Sequence, residues 1–273
     1  MEQQPEWLKL GERVLGPLLA DTSQALKTFS GPDFHVTQLP TLALYHLAHS
    51  LQSSIDTNRE GRHAVALSLL RHAVEALTII ELGLVGTEAS YHLLEAWDSG
   101  NKTQGELRRA LEVVTWPNYG KGLWDEPWAE FFAHLAKAVQ PYAHCSPELP
   151  QWNLATLADD SAGTFFAGVG MYDPTKASRL TVFHMLAAWA LGRILFANQP
   201  SRGARIGQVD VTALGLALSR CHLLMEGEDW SVQLWPHMFF KKWAPSNHSL
   251  ERTRPRRRDN LNECWPGRSA RGR

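Results

Sequence analysis

The sequence has few cysteines, and none of them stands in a metal-binding or disulfide pattern. Its three cysteines, Cys145, Cys221 and Cys264, are odd in number and form no CxxC pair. This excludes a disulfide framework and a cysteine-based zinc site, and it fits a reducing compartment. The motifs GxGxxG, GxxxxGK[ST], GxSxG and HExxH are also lacking, so no short motif of nucleotide, acyl-transfer or zinc-protease chemistry is present.

A strong overall charge is lacking too, because the formal net charge is −1. Residues 241–273 nevertheless carry ten Lys or Arg against three Asp or Glu, a net +7, which leaves −8 for the rest. An acidic body disfavours binding of nucleic acid through its overall field. Residues 246–273 are basic and poor in aliphatic residues, so we predict a disordered tail. This tail either binds nucleic acid or has no role, since its "NHSLERTRP" and "GRSARGR" segments resemble translated genomic repeats.

Long hydrophobic runs are nearly absent. The first twenty residues lack the basic start and apolar core of a signal peptide. The most apolar stretch, residues 180–197, contains His184 and Arg193, and we interpret it as a buried core helix rather than a membrane span. The sequence therefore predicts no membrane association and a cytoplasmic location.

Strand-like alternation is lacking, and a helical period dominates. Apolar residues recur at three- and four-residue steps in a first helix and in a second helix, which we expect to open at Pro40. A third helix, residues 61–84, is mostly apolar. Its central polar residues share one narrow stripe: Ser68, Arg71, His72 and Glu75. This stripe either reaches solvent through a slot or forms a buried network.

The later helices carry end signals. Thr103 and Glu106 have the spacing of a capping box. Pro141 should end a helix near Gln140. Asp173 and Pro174 resemble the N-cap and first residue of the buried helix at 175–197.

These elements predict an all-α bundle of about eight helices. We expect one helical domain over residues 1–245. Residues 151–245 either complete the core of residues 1–150 or form a separate sub-lobe.

Four aromatic residues lie in and after a turn-rich loop: Trp116, Tyr119, Trp124 and Trp128. They either cap the core of the bundle or line a pocket for a small molecule.

Several histidines could carry chemistry. His46 and His49 have the (i, i+3) spacing of two metal ligands. A zinc site needs three or four ligands and no further partner is indicated, so we favour a solvated helix face. For His184 we predict a core histidine bonded to a backbone carbonyl. No cofactor and no metal are expected.

The strongest candidate cluster contains Arg71, Glu75 and His144, with Lys137 as a weaker member. Arg71 and Glu75 can pair at (i, i+4), and His144 follows a helix-ending proline. A histidine at a helix junction can transfer protons near neutral pH. The alternative is a buried polar network that fixes helix register, and this is the interpretation that we favour.

The segments "SLLRHAVEAL" and "FFAHLAKAVQPYAHCSPEL" resemble a group of uncharacterised bacterial helical proteins with an "LLRxxxEA" helix and a later helix ending in "Y(A/S)H". That group is similar to HEPN-like domains. The resemblance implies a helical bundle that forms dimers. In active members it implies metal-independent RNA cleavage by Arg and His. Here His144 matches the histidine, but Lys137 stands where an arginine is required.

The sequence therefore predicts a non-catalytic HEPN-like binding or scaffold protein that forms a homodimer. One alternative is a ribonuclease that uses His144 with Arg71 or Lys137, although the acidic body does not favour RNA as a partner. The other alternative is a helical domain that binds a small molecule.

Overall fold

The computed structural model describes residues 6–140, 172–199 and 207–219. This part of the chain forms eight α-helices and no strand, apart from one isolated bridge between Lys121 and Pro127. The predicted all-α bundle of about eight helices is therefore confirmed. The helices are α1 (Glu6–Leu26), α2 (Phe34–Arg59), α3 (His63–Val85), α4 (Glu88–Asp98), α5 (Gln104–Val114), α6 (Trp128–Val139), α7 (Pro174–Asn198) and α8 (Gly207–Ser219), with a 3-10 turn at Trp116–Tyr119.

Helix α2 begins at Phe34, so the expected start at Pro40 was wrong. The Asp33 side chain caps the helix by accepting the His35 backbone N–H at 2.7 Å. Pro40 lies inside the helix, where it removes only one backbone hydrogen bond. A Cβ at position 83 would come within 2.4 Å of the Pro40 ring. Glycine at Gly83 therefore lets α2 and α3 approach closely.

Helix α3 is the central helix, and it packs against α2, α4, α5, α6 and α7. It begins at His63, because Gly61 adopts a φ of +82° in the turn after α2. It ends at Gly86, whose φ of +66° is left-handed and whose N–H donates to Leu82 at 3.1 Å. The polar stripe of α3 is half-buried to exposed, so the interpretation that it reaches solvent fits the structure.

The predicted end signals of the later helices are present. Thr103 Oγ1 accepts the Glu106 N–H at 3.3 Å, and the Thr103 N–H donates to Glu106 Oε2 at 2.8 Å, which completes the capping box. Helix α6 ends at Val139, just before Pro141. Asp173 caps α7 by accepting the Lys176 N–H at 3.1 Å.

Helix α7 is, within the described residues, the one helix long and apolar enough to cross a membrane. In the structure 83 % of its apolar window is buried against other helices, which is the pattern of a core helix. Apolar side chains of α7 and α8 belong to the same hydrophobic cluster as those of α1 to α6. The predicted tail, residues 246–273, lies outside the described residues.

Candidate functional site

Arg71 and Glu75 form the ion pair that their spacing predicts. Arg71 Nε lies 2.8 Å from Glu75 Oε1, and the two side chains are 18 % and 38 % exposed. Gln104 of α5 donates through Nε2 to the backbone carbonyl of Glu75 at 2.7 Å. The pair therefore lies half-buried where α3 meets α5, rather than in the interior of the bundle.

Arg108 of α5 brings a second guanidinium to this place. Its guanidinium carbon lies 5.7 Å from the centre of the Phe132 ring, and its Nε has no hydrogen-bond partner among the described residues. Burial lowers the pKa of Arg108, and the Glu75 carboxylate opposes that shift. The Glu75 carboxylate thus pairs with Arg71 and lies in the field of Arg108. This arrangement is not a pair of nucleophile and base.

The structure brings together two of the four residues of the predicted cluster. Arg71 and Glu75 are paired, whereas Lys137 is exposed on α6 and has no ion pair with any described residue. His144 lies outside the described residues, and so do Cys145, Cys221 and Cys264. The ribonuclease alternative, which depends on His144, stays a prediction.

A second group of candidate residues lies on the outer surface of the hairpin formed by α2 and α3. The exposed residues there are Leu42, Tyr45, His46 and His49 of α2 with Val65 and His72 of α3. We call this surface the histidine face. The rings of His46 and His72 are stacked, with centroids 5.8 Å apart and an angle of 28° between the ring planes. His46 and His49 are both exposed, which confirms the solvated helix face.

His72 of α3 is a neighbour of His46 that the spacing of histidines within one helix does not indicate. The contact follows from the register of the hairpin, because α2 and α3 are antiparallel and joined by a short turn. Ser54 on α2 bonds the carbonyl of Ala66 on α3. Eight residues back from Ser54 is His46, and six residues on from Ala66 is His72. These steps correspond to about 12 Å along α2 and about 9 Å along α3, so the two side chains lie within about 3 Å of the same level of the hairpin.

His184 of α7 is a core residue, as predicted, but its expected partner was wrong. Its Nε2 lies 2.6 Å from Ser54 Oγ, not from a backbone carbonyl. Ser54 Oγ donates to the carbonyl of Ala66 at 2.6 Å, so the histidine must donate to the serine. This direction leaves Ser54 without a base that could remove its proton. The pair fastens α7 to α2 and α3 and is not a catalytic dyad.

Burial also keeps His184 neutral. It lowers the pKa of His184 to about 3, and the charge of Arg59 acts in the same direction. With Nε2 protonated, the unprotonated Nδ1 is buried and has no hydrogen-bond partner among the described residues. The ring therefore keeps its one proton on Nε2 and does not take up a second proton near neutral pH.

His63 extends this buried network. Asn58 donates through Nδ2 to the carbonyl of Ala177 at 3.0 Å, so its Oδ1 accepts from His63 Nδ1 at 2.8 Å. His63 Nε2 accepts the backbone N–H of Asp173 at 3.0 Å, which requires a neutral ring. Accordingly, desolvation lowers the pKa of His63 to about 4, although the Asp173 carboxylate opposes the shift. The network ties α2, α3 and the start of α7 together.

The four aromatic residues of the loop region lie in the core. Trp116, Tyr119, Trp124 and Trp128 are all buried. Trp128 contacts Tyr119 and Trp189 at centroid distances of 5.7 and 6.0 Å. This packing supports the interpretation that they cap the core.

Glu81 of α3 is buried among these aromatic residues. Trp116 Nε1 donates to Glu81 Oε1 at 2.8 Å. Desolvation raises the pKa of Glu81 to about 8, while hydrogen bonds from Tyr119 and Trp116 oppose the shift. The carboxyl group is therefore largely protonated at neutral pH and acts as an uncharged part of the core.

Among the described residues, no three His, Cys, Asp or Glu side chains lie close enough to hold a metal ion. Comparison of the chain with protein-family models, with curated proteins and with solved structures finds no match.

Proposed function

We propose that this chain is a HEPN-like, non-catalytic binding or scaffold protein that works in the cytoplasm as a homodimer. The dimer forms through the histidine face, so that two copies of the helical body are held together and present the rest of their surface to partners. The single observation that carries this proposal is the exposure of uncharged and apolar side chains along the outside of α2 and α3.

The exposed apolar groups of this surface are large. Tyr45 is 65 % exposed, Leu42 is 55 % exposed and Val65 is 44 % exposed. Phe34, at the start of α2, is 77 % exposed. Several exposed apolar residues on one hairpin are typical of an interaction surface.

Charge favours a second copy of the same chain as the occupant. Residues 34–55 contain no Asp, Glu, Lys or Arg, and α3 has none before Arg71, which is paired with Glu75. A two-fold interface brings the same patch of both copies together, so a patch with an excess of one charge would meet like charge. The absence of formal charge makes this surface compatible with itself.

The size of the surface is sufficient for a dimer. Residues 34–55 span about 33 Å of helix, and α3 lies alongside at a distance of about 10 Å. The two helices together present roughly 600 Å² per copy, so a pair would bury roughly 1,200 Å², at the lower end of specific interfaces.

Further observations support the remaining parts of the proposal. The "LLRxxxEA" segment forms the central helix of an all-α bundle, as the HEPN-like resemblance implies. Burial keeps His63 and His184 neutral, and Ser54 has no base. The cytoplasmic location rests on the cysteine pattern and on the core position of α7.

Sedimentation equilibrium of the full chain over a concentration series tests the proposal. We expect the wild type to approach twice its monomer mass of 30.6 kDa. The substitution Tyr45→Glu should weaken the dimer at least tenfold, because it would bury a carboxylate without a cationic partner in an uncharged interface.

Val113→Glu is the matched control, because Val113 is a 76 % exposed apolar residue on α5, outside the histidine face. It should leave the dimer unchanged. A wild type that stays monomeric at high concentration, or a dimer that Tyr45→Glu and Val113→Glu affect equally, would overturn the proposal.

A further inference from the structure

The stacked pair of His46 and His72 has the geometry of half of a metal site. Both rings are exposed and come from different helices, and their centroids are 5.8 Å apart. Two imidazoles bound to one tetrahedral zinc ion, with Zn–N distances of about 2 Å, have ring centroids about 5 Å apart. The centroid distance of the pair is close to this value, and binding would require the two exposed side chains to rotate until one nitrogen of each ring points at the same ion.

Two histidines do not complete a zinc site, since zinc takes four ligands in closed sites. The described part of one copy supplies no third His, Cys, Asp or Glu at this place. A second copy can supply the missing ligands. In a two-fold interface a pair of histidines close to the axis meets the same pair of the other copy, and the total is four imidazoles.

We propose that a divalent transition-metal ion of the zinc type binds between two copies of this chain, held by His46 and His72 of each copy. This inference rests on the proposed dimerisation through the histidine face. The metal would strengthen that dimer and fix its register.

The surroundings of the pair are compatible with a cation. The nearest charged residue along α3 is Arg71, and its charge is matched by the bonded Glu75 carboxylate. Residues 34–55 of α2 add no cationic side chain. Imidazole nitrogens suit Zn²⁺, Ni²⁺ and Cu²⁺ and not Mg²⁺ or Ca²⁺, so the site should select among metals.

The test is sedimentation equilibrium of the full chain at pH 7.5, first with EDTA and then with zinc chloride, together with measurement of zinc retained after dialysis. We expect zinc to tighten the dimer at least tenfold and one zinc ion to be retained per two chains. Magnesium chloride at the same concentration should have no effect.

The chain has 12 histidines, so substitutions are needed to show that His46 and His72 cause the response to zinc. His46→Gln and His72→Gln should each abolish the tightening by zinc while leaving the melting temperature unchanged. His92→Gln is the matched control, because His92 is an exposed histidine on α4, beside Glu95. It should respond to zinc as the wild type does.

The outcomes separate the two proposals. A chain that dimerises equally in EDTA and in zinc keeps the proposed function and overturns the metal site. A chain that is monomeric under both conditions overturns both. A tightening by zinc that survives in His72→Gln also overturns the site, because other histidines would then be the ligands.

Discussion

The two sides of the α2–α3 hairpin use histidine in opposite ways. On the outer side, His46, His49 and His72 are exposed, and two of them stack on each other. On the inner side, His63 is buried and hydrogen-bonded through both ring nitrogens, to Asn58 and to Asp173. Histidine thus stabilises the fold where it is buried and hydrogen-bonded, and it is available to bind a ligand where it is exposed to solvent.

The difference follows from what surrounds the rings. His63 and His184 of α7 are held neutral, because desolvation penalises the charged ring and the hydrogen bonds fix one tautomer. The outer rings are exposed to solvent, so they can turn toward a ligand or a second copy. The inner side should therefore determine stability, and the outer side should determine assembly.

The largest expected effect concerns how stability depends on pH. His184 has its pKa lowered from 6.5 to about 3, so its contribution to stability is present above pH 6.5 and is lost as the pH falls. Glu81 has its pKa raised from 4.5 to about 8, so its contribution is present below pH 4.5 and is lost as the pH rises. The two groups therefore act in opposite directions between pH 4.5 and 6.5.

Two substitutions separate these contributions. Relative to the wild type, His184→Gln should gain about 1.4 kcal/mol of unfolding free energy for each pH unit of acidification, and Glu81→Gln should lose about the same. Urea denaturation of the three proteins at pH 6.5, 5.5 and 4.5 measures this. If the unfolding free energy depends on pH in the same way in all three proteins, neither His184 nor Glu81 is buried with a shifted pKa.

A smaller effect is expected from Asn58→Leu. The substitution removes the hydrogen bonds to the Ala177 carbonyl and to His63. The Ala177 carbonyl keeps the Thr181 hydroxyl as a donor, whereas the buried Nδ1–H of His63 is left without its acceptor. We expect a loss of about 3 kcal/mol of unfolding free energy in urea denaturation. Gln52→Leu on the exposed side of α2 is the control and should change stability by less than about 0.5 kcal/mol. Equal losses in the two variants would contradict the difference between the two sides.

The smallest effect is expected at the half-buried pair on α3. Glu75→Gln removes the charge that Arg71 pairs with, but it keeps the size of the side chain and leaves the backbone carbonyl that Gln104 bonds. We expect a loss of about 0.5 kcal/mol at low salt that shrinks as salt is added. A loss of several kcal/mol would instead mean that this pair belongs to a buried polar network, the interpretation that we favoured from the sequence.

Local signals in the sequence predicted the local structure well. The capping box at Thr103 and Glu106, the cap at Asp173 and the helix end before Pro141 depend on residues close in the chain, and all three were confirmed. The predicted helix start at Pro40 was wrong, because the position of Pro40 inside α2 depends on the cap at Asp33 and on the small Gly83 of α3.

Contacts between helices were harder to predict, because the periodicity of apolar residues along one helix does not show which residues of other helices pack against it. The partner of His184 is Ser54, 130 positions away in the chain, and nothing local to His184 indicates it. The pairing of Arg71 with Glu75 was predictable from their spacing within one helix. The neighbour of His46 required the register of the α2–α3 hairpin.

We propose that two copies meet through the outer side of α2 and α3. Photo-crosslinking with benzoylphenylalanine at position 45, followed by mass spectrometry, tests this contact, with the same probe at position 113 on α5 as the control. We expect a covalent dimer from position 45 only, joined to peptides from residues 34–85 of the second chain. Cross-links confined to one chain, or dimers formed equally from position 113, would contradict it.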